Sequence, residues 1–257
     1  MNRLAAINSI RQKLATNKPS IGSWIQIPHS SIAEIMGGVS SYDWIAVDME
    51  HGSISTSQLP DIFRALELTN TLPLARIAQA STKDCKMALD AGAGGIIVPM
   101  IETKDQLSEL RAACCWPPAG SRGVGFCRAN LYGTNFKDYQ KEALQPLVVA
   151  MIENIKAIEQ IDLIASVPGL DAIMVGPYDL SASMGITADF ENIKFTSAMT
   201  RIKEACLIHK IPFGIHVVSP NQHDLKVALD QGYTFVAHSI DSVFLSSALE
   251  LSMKSLP

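Results

Sequence analysis

Eight short apolar runs recur along the chain, and each gap between successive runs is long enough for a helix. Most of the runs are continuously apolar rather than alternating, which is typical of parallel strands covered on both faces. They occupy residues 21–27, 43–48, 72–77, 94–100, 146–153, 170–176, 211–217 and 233–239. Eight strands that alternate with helices predict an α/β protein, a (β/α)8 TIM barrel that spans residues 1–257 as one domain.

The segments between the runs carry helix signals. Ser81, with Asp84 three residues later, resembles a capping box, and Gly92 can end the same helix. We predict helices over residues 30–39, 55–68, 81–92, 103–114, 154–166, 193–209 and 219–232, and an N-terminal helix with Leu4, Ile7, Ile10 and Leu14 on one face. A doubly wound open sheet is the alternative, but no Gly-rich nucleotide fingerprint follows the first run.

One long segment interrupts the alternation of strands and helices. Residues 115–145, CWPPAGSRGVGFCRANLYGTNFKDYQKEALQ, are rich in Gly, Pro and Arg. Long loops in compact domains are usually functional or disordered. The aromatic residues and arginines of this segment favour a functional loop, which we predict to lie over the carboxyl-terminal rim of the barrel.

Composition excludes several classes of partner. The 257 residues carry a net charge of −4 and no cluster of Lys or Arg, which argues against nucleic acid and membrane surfaces. No apolar run reaches the roughly 18–20 residues of a spanning helix, and the N-terminus lacks the apolar core of a signal peptide. The five cysteines form no C-x-x-C pair. We therefore expect reduced thiols in a cytoplasmic protein, without a zinc–thiolate site.

The stretch DWIAVDMEHG, residues 43–52, places titratable groups directly after a buried strand. Asp48, Glu50 and His51 follow the second run, and Arg76 ends the third. Active sites of barrels lie at the carboxyl ends of the strands, so these side chains are predicted to meet at one rim. His51 can transfer a proton near neutral pH, and either Asp48 or Glu50 can orient its ring.

Two further carboxylates follow the fifth and sixth runs. Glu153 and Asp179 are suited to a hard divalent cation with open positions, and Mg²⁺ or Mn²⁺ is preferred because no His/Cys cluster accompanies them. Arg76 offers a fixed positive fork to a carboxylate or enolate oxygen. This combination is typical of enolate chemistry beside a carboxylate. A Schiff-base aldolase is disfavoured because none of the eight runs contains a lysine.

Each of these residues also has a structural interpretation. His51 can be a capping or surface histidine, Glu153 a salt-bridge partner, and Asp179 the N-cap of a helix. Arg76 can simply pair with Asp48. The remaining candidates with a structural alternative are the charges Arg122 and Arg128, the strand-end histidines His216 and His238, and the helix-end residue Asp90.

Several motifs together resemble the HpcH/HpaI aldolase family, the class II pyruvate aldolases. They are DWIAVDMEHG, PLARI, ALDAGAGGIIVPM, WPPAGSRGVGFCRA, AMIE and MVGPYDLSASMG. The resemblance runs from about residue 20 to residue 245. It implies a (β/α)8 barrel that assembles as a homohexamer, a trimer of dimers, with the last helix exchanged between subunits.

The resemblance also implies a site and a reaction. Glu153 and Asp179 would hold the divalent metal, Mg²⁺, Mn²⁺ or Co²⁺, and Arg76 would contact the keto and enolate oxygen of pyruvate. His51 would transfer a proton with support from Asp48. Asp90 would approach from a neighbouring subunit, and Gly176 and Pro177 would lie near the pyruvate carboxylate. The implied reaction is reversible cleavage of a 4-hydroxy-2-oxo acid to pyruvate and an aldehyde, through a metal-bound enolate.

The chain also departs from the family pattern. Met151 stands two residues before Glu153, where the aldolases of this family carry Gln. The long segment adds Phe126, Asn130 and Tyr132, so the aldehyde pocket is expected to differ. Two alternatives therefore stay open: a lyase or synthase that acts on a citrate-like or CoA-linked acid, and a non-catalytic barrel that binds a keto acid.

Overall fold

The eight strands are parallel and close into a barrel in sequence order. The computed structural model describes residues 1–254. The strands are β1 Ser20–Ile25, β2 Trp44–Asp48, β3 Leu72–Arg76, β4 Gly95–Val98, β5 Leu147–Ile152, β6 Ala172–Val175, β7 Phe213–Val217 and β8 Phe235–Ile240. Because β8 pairs with β1, the sheet has no free edge. The predicted (β/α)8 barrel is confirmed.

The predicted helices are present with two differences, and a further helix, Phe136–Ala143, lies within the segment predicted as a long loop. The predicted helix 55–68 begins at Leu59, with Pro60 in its first turn, and the predicted helix 154–166 is two short helices. The helices are α1 Arg3–Ala15, α2 Ser30–Gly37, α3 Leu59–Leu68, α4 Thr82–Ala91, α5 Lys104–Cys114, α6 Phe136–Ala143, α7 Ile155–Glu159, α8 Ile161–Ala165, α9 Pro177–Ser183, α10 Ile193–His209, α11 Gln222–Asp230 and α12 Asp241–Lys254. None of the helices within residues 1–254 is long and apolar enough to cross a membrane.

The strands separate two apolar cores. In β3, Leu72 and Leu74 face the barrel interior, while the next residue, Ala75, packs against the surrounding helices. On α1, Ile7, Ile10 and Leu14 belong to the interior core. Helix α1 therefore closes the amino-terminal end of the barrel and leaves the carboxyl-terminal rim as the open end.

The prediction that residues 115–145 cover the carboxyl-terminal rim is wrong. Arg3 at the start of α1 donates from Nε to Glu142 at 2.7 Å and also binds the carbonyl oxygen of Ala129. Arg128 donates from Nη2 to Glu67, near the end of α3, at 2.6 Å. The segment therefore lies at the amino-terminal end. The reason is connectivity, because it joins the end of α5 to the start of β5, and both lie there.

Asn130, one of the residues by which the chain departs from the family pattern, has a structural role within this segment. Its Nδ2 donates to the Gly125 carbonyl at 2.7 Å, and its Oδ1 accepts from the backbone N–H groups of Cys127 and Gly133. The side chain is fully buried. Phe126 and Tyr132, in contrast, are 75% and 66% exposed. Only these two aromatic rings are therefore presented to the exterior.

Candidate active site

Asp48 and Arg76 end neighbouring strands and form a bidentate ion pair at the carboxyl-terminal rim. They are aligned in the register of β2 and β3. Arg76 donates from Nε to Asp48 Oδ1 at 2.9 Å and from Nη2 to Oδ2 at 2.6 Å. Both side chains are buried. The structural pairing that the sequence left open for Arg76 therefore exists, and it leaves Nη1 directed away from Asp48.

Further hydrogen bonds hold the Asp48 carboxylate in place. Its Oδ2 accepts from Gln26 Nε2 at 2.9 Å, and its Oδ1 accepts from the backbone N–H groups of Glu50 and His51, both at 3.1 Å. Burial by itself would raise the pKa of Asp48, but the hydrogen bonds and charge of Arg76 outweigh it and lower the pKa. Asp48 is therefore a fixed anion that orients both Arg76 and the turn leading to His51.

Glu50 completes the charged group around Arg76 and His51. Its Oε2 lies 3.3 Å from Arg76 Nη1 and 3.9 Å from His51 Nε2. This oxygen is buried and makes no hydrogen bond within the described part of the chain. Burial raises the pKa of Glu50, and the nearby carboxylates of Asp48 and Asp179 raise it further. The sequence indicated Glu50 only as a possible orienting group for His51, whereas the structure also directs it at Arg76.

His51 is the most accessible of these side chains, at 55% exposure. It lies in the turn after β2, and its backbone N–H is fixed by Asp48. The ring can therefore reach a ligand from the solvent side of the site. Glu50, rather than Asp48, is the carboxylate nearest to the ring nitrogen Nε2.

Two aromatic groups that the sequence did not assign to the site lie beneath Arg76. The guanidinium carbon is 4.7 Å from the centre of the Trp24 ring, which is the geometry of a cation–π contact. The His216 ring also contacts Trp24, with ring centroids 5.6 Å apart. The sequence suggested a packed histidine at position 216. The signal that could have identified Trp24 was its inward position near the end of the first strand.

Glu153 follows β5 and is directed into the rim by a backbone hydrogen bond. Its Oε2 accepts from the Met100 N–H at 2.8 Å, and the residue is 2% exposed. Burial raises the pKa of Glu153 to about 7, with further contributions from the negative charges of Glu50 and Asp179. A Cβ atom at Gly176 would lie 2.5 Å from Glu153 Oε1, so only glycine leaves this carboxylate its position.

Asp179 lies in the first turn of α9 and is not its N-cap. Gly176 occupies the cap position and Pro177 the first helical position. The alternative interpretation of Asp179 as the N-cap is therefore wrong. The carboxylate of Asp179 is close enough to raise the pKa of both Glu50 and Glu153.

The three carboxylates Glu50, Glu153 and Asp179 have the donor chemistry of a divalent cation site. A cation would offset both the mutual repulsion of these carboxylates and the cost of burying their negative charge, and carboxylate oxygens suit Mg²⁺ or Mn²⁺. Within residues 1–254, no group of three or more His, Cys, Asp or Glu side chains is already arranged to hold a metal ion. The arrangement therefore fits a metal with few protein ligands, whose other positions are filled by water or substrate.

Met151 and Asp90 lie apart from this group. Met151 faces the barrel interior at 1% exposure and packs in the inner core below the rim. Asp90 lies in the last turn of α4, at the amino-terminal end, where its carboxylate is 3.7 Å from Arg122 Nη1. The single chain therefore brings together Asp48, His51, Arg76, Glu153, Gly176, Pro177 and Asp179, but not Asp90.

Comparison with known proteins supplies relatives over most of the chain. Residues 20–248 match the model of the family described as HpcH/HpaI aldolase/citrate lyase. A 4-hydroxy-2-oxovalerate aldolase from Novosphingobium aromaticivorans is 35% identical over 92% of this chain and 89% of its own length. A hydroxypyruvate/pyruvate aldolase from Roseobacter denitrificans is 32% identical, with 94% of each protein covered. A solved family protein from Burkholderia cenocepacia is 29% identical, covers 96% of this chain and 98% of its own, and superposes with a TM-score of 0.89.

Proposed function

The chain belongs to the HpcH/HpaI aldolase/citrate lyase family and is a carbon–carbon lyase of the aldolase type, and we propose that it reversibly cleaves a 4-hydroxy-2-oxo acid to pyruvate and an aldehyde. The observation that carries this proposal is the convergence at one rim of a fixed arginine fork with three carboxylates, Glu50, Glu153 and Asp179. The names of the two relatives support a 2-oxo acid as substrate.

Glu153 and Asp179 are the proposed ligands of Mg²⁺ or Mn²⁺, with Co²⁺ as a further candidate. When bound, such an ion supplies Lewis-acid stabilisation of the negative charge that develops on the 2-oxo and carboxylate oxygens. Gly176 and Pro177 border Glu153 without a bulky side chain, which supports binding of the substrate carboxylate there.

Arg76 is proposed to bind the oxygen that becomes the enolate oxygen. Two of its nitrogens are held by Asp48 and the guanidinium lies over the Trp24 ring, so it needs little reorganisation during the reaction. Preorganised positive charge at a developing oxyanion is typically the largest contribution to such a reaction. Nη1 is the nitrogen that the pairing with Asp48 leaves available.

His51 is proposed to carry the proton of the C4 hydroxyl. Its exposed ring can exchange that proton with solvent, and Glu50, 3.9 Å from Nε2, can stabilise the protonated ring. Asp48 supports this role through the backbone, since its carboxylate fixes the His51 N–H.

The assembly is also a proposal, in which a second copy of the chain contributes Asp90. Helix α12 leaves four apolar side chains exposed by more than half, and a cavity of about 850 Å³ lies beside α11, lined by Ile21, Val39, Tyr42 and Leu225 among others. The occupant we propose is α12 of a second copy, within a homohexamer built as a trimer of dimers. The exposed residues of α12 are Leu245, Leu249, Leu251 and Met253.

Light scattering of the purified protein tests the assembly. Leu249→Asp on α12 should convert the oligomer to smaller species, because a carboxylate would enter the apolar groove, while Lys254→Glu at the end of the same helix serves as the control. A wild-type protein that is both monomeric and catalytically active would contradict the proposed assembly and the proposed contribution of Asp90.

A lyase or synthase acting on a citrate-like or CoA-linked acid is the second candidate, because the family description includes citrate lyase. Proton exchange at the methyl group of pyruvate in D₂O, followed by NMR with Mg²⁺ and then with EDTA, separates the two. The aldolase should catalyse metal-dependent exchange, and Glu153→Gln should abolish it. Glu102→Gln, a carboxylate after β4 that is outside the site and paired with Lys156, is the matched control.

Exchange that persists in EDTA or in Glu153→Gln would refute the metal-dependent mechanism. Absence of exchange in metal-loaded wild-type protein would refute pyruvate as the substrate, and the same assay with oxaloacetate and citrate-like acids would follow.

A further inference from the structure

His216 lies at the floor of the candidate site, although the reaction proposed above gives it no task. It is the fourth residue of β7, whose first residue Phe213 belongs to the outer core, so by the alternation of side chains His216 faces the barrel interior. Its ring contacts Trp24, on which the Arg76 guanidinium rests. Both Arg76 and Asp48 are close enough to influence its pKa.

The imidazole of His216 is neutral at physiological pH. Burial, together with the positive charge of Arg76, lowers its pKa to about 4. A neutral imidazole has one N–H donor and one nitrogen that only accepts. The chemistry of the site at His216 therefore depends on which nitrogen is the acceptor.

The acceptor is Nε2. One ring nitrogen bonds the backbone of Ser239, and this contact raises the pKa of His216, as expected when the ring donates. Nε2 has no hydrogen-bond partner among residues 1–254, so the donating nitrogen is Nδ1. A buried acceptor without a donor is costly and calls for a partner that the ligand-free chain does not supply.

Neither Trp24 nor Arg76 donates to Nε2, because Trp24 Nε1 makes no hydrogen bond within residues 1–254 and the donors of Arg76 face carboxylates. Arg76 uses Nε and Nη2 for Asp48, and Nη1 faces Glu50. A ligand group that reaches Nε2 must therefore bring its own O–H or N–H. In a 2-oxo acid, the carboxylate and oxo oxygens are acceptors, which suit Arg76 and a cation. Only a substituent on C3 can offer a donor, and the methyl group of pyruvate has none.

We propose that His216 is a specificity-determining residue whose Nε2 accepts a hydrogen bond from a hydroxyl group on C3 of the 2-oxo acid, so that the site favours 3-hydroxylated 2-oxo acids such as hydroxypyruvate over pyruvate. This inference rests on the proposed aldolase function. It adds the class of the nucleophilic substrate and a residue that selects it.

The test compares C3 proton exchange of hydroxypyruvate and of pyruvate in D₂O with Mg²⁺, after subtraction of the rate with metal alone. The measured quantity is the ratio of kcat/KM for the two acids. His216→Leu removes the acceptor at similar volume and should lower the ratio about ten-fold, through a higher KM for hydroxypyruvate. His216→Gln, which keeps an acceptor at similar reach, should retain the ratio within about three-fold.

His238 supplies the matched control. It is on the neighbouring strand β8, and its Nε2 is also buried without a partner in the described chain. Its ring faces outward, against Phe244. His238 also lines the cavity proposed for α12, but a change in assembly would affect both acids alike, so His238→Leu should leave the ratio unchanged. Should His216→Leu not fold, which circular dichroism reports, His216→Met provides the same loss of the acceptor on a flexible side chain.

The outcomes distinguish a failure of the role of His216 from a failure of the proposed aldolase function. An unchanged ratio in both apolar variants, or an equal loss for both acids, overturns the role of His216, because the residue would then only support Trp24. The same shift in His238→Leu also overturns it. Absence of exchange with either acid in wild-type protein overturns the aldolase function itself, and this proposal with it.

Discussion

Two bidentate arginine–aspartate pairs lie at opposite ends of the barrel. At the amino-terminal end, Arg11 donates to Asp171 at 2.7 and 3.1 Å, and at the carboxyl-terminal rim, Arg76 donates to Asp48 at 2.9 and 2.6 Å. The two pairs have the same local chemistry. Their surroundings decide what each can do.

At the amino-terminal end, the charged groups around Arg11 and Arg3 have protein partners, although Arg122 at the same end keeps two nitrogens without a hydrogen bond. Arg11 also approaches Gln145 Oε1 and the Pro146 carbonyl, and Arg3 is shared by Glu67 and Glu142. At the rim, Glu50 Oε2 is buried without a hydrogen bond and the pKa of Glu153 is raised to about 7. The satisfied charges around Arg11 and Arg3 hold the fold together, whereas the unsatisfied carboxylates at the rim are suited to a cation or ligand.

The largest expected effect comes from replacing the arginine of each pair by lysine and comparing the rates of proton exchange. Arg76→Lys keeps the charge but loses the fork, and pyruvate proton exchange should fall by about 100- to 1000-fold. Arg11→Lys should leave the exchange rate of folded protein unchanged. Similar losses of activity in the two variants, measured in the D₂O assay, would contradict the assignment of a functional pair to the rim and a structural pair to the amino-terminal end.

Arg3→Met tests whether the amino-terminal end is structural. It leaves Glu67 and Glu142 without their shared partner, and the free energy of unfolding should fall by about 3 kcal/mol, as for other broken buried pairs. Lys226→Met, which breaks an exposed pair with Asp230, should cost less than about 1 kcal/mol. Urea unfolding measures both. A loss of exchange activity in folded Arg3→Met would place function at this end as well.

The neutral histidine of the rim predicts a pH dependence. Because the folded pKa of His216 is about 4, below its ordinary value of 6.5, the unfolded chain binds more protons between those pH values. Stability from this group is therefore fully present above pH 6.5 and is lost as the pH falls towards 4. His216→Gln should reduce the difference in the free energy of unfolding between pH 7 and pH 4.5 by on the order of 2 kcal/mol.

His223→Gln, on the amino-terminal turn of α11, is the control for that pH series. If the free energy of unfolding of His216→Gln depends on pH as that of the wild type does, a buried neutral imidazole at position 216 is contradicted. An equal reduction of the pH dependence in His223→Gln would contradict it as well.

The smallest expected effect concerns a single methyl group. Gly176→Ala would bring a Cβ within 2.5 Å of Glu153 Oε1, and the displaced carboxylate should weaken Mg²⁺ affinity about ten-fold by calorimetry. Gly125→Ala, where no atom lies within 4 Å of the added Cβ, is the control. Equal affinities in wild type and Gly176→Ala would argue against Glu153 as a ligand.

Most of the fold could be predicted from local sequence because the relevant signals are periodic. The continuous apolar runs yielded all eight strands within a few residues, since a strand covered on both faces is mostly apolar. The place of residues 115–145 could not be predicted in this way. Their Gly, Pro and Arg content indicates a loop, but the end of the barrel at which a loop lies depends on connectivity and on distant partners such as Arg3.

For the candidate site, the sequence by itself determined which polar side chains end strands, and hence that Asp48, Arg76 and Glu153 share one rim. Only the tertiary structure decided which of these charges neutralise one another. Asp48 has a bidentate hydrogen-bonded pair with Arg76, Glu50 approaches Arg76 without a hydrogen bond, and the ring of Trp24 contacts both Arg76 and His216. Which charges pair depends on the directions of side chains from different strands. The spacing of residues along a single strand does not predict those directions.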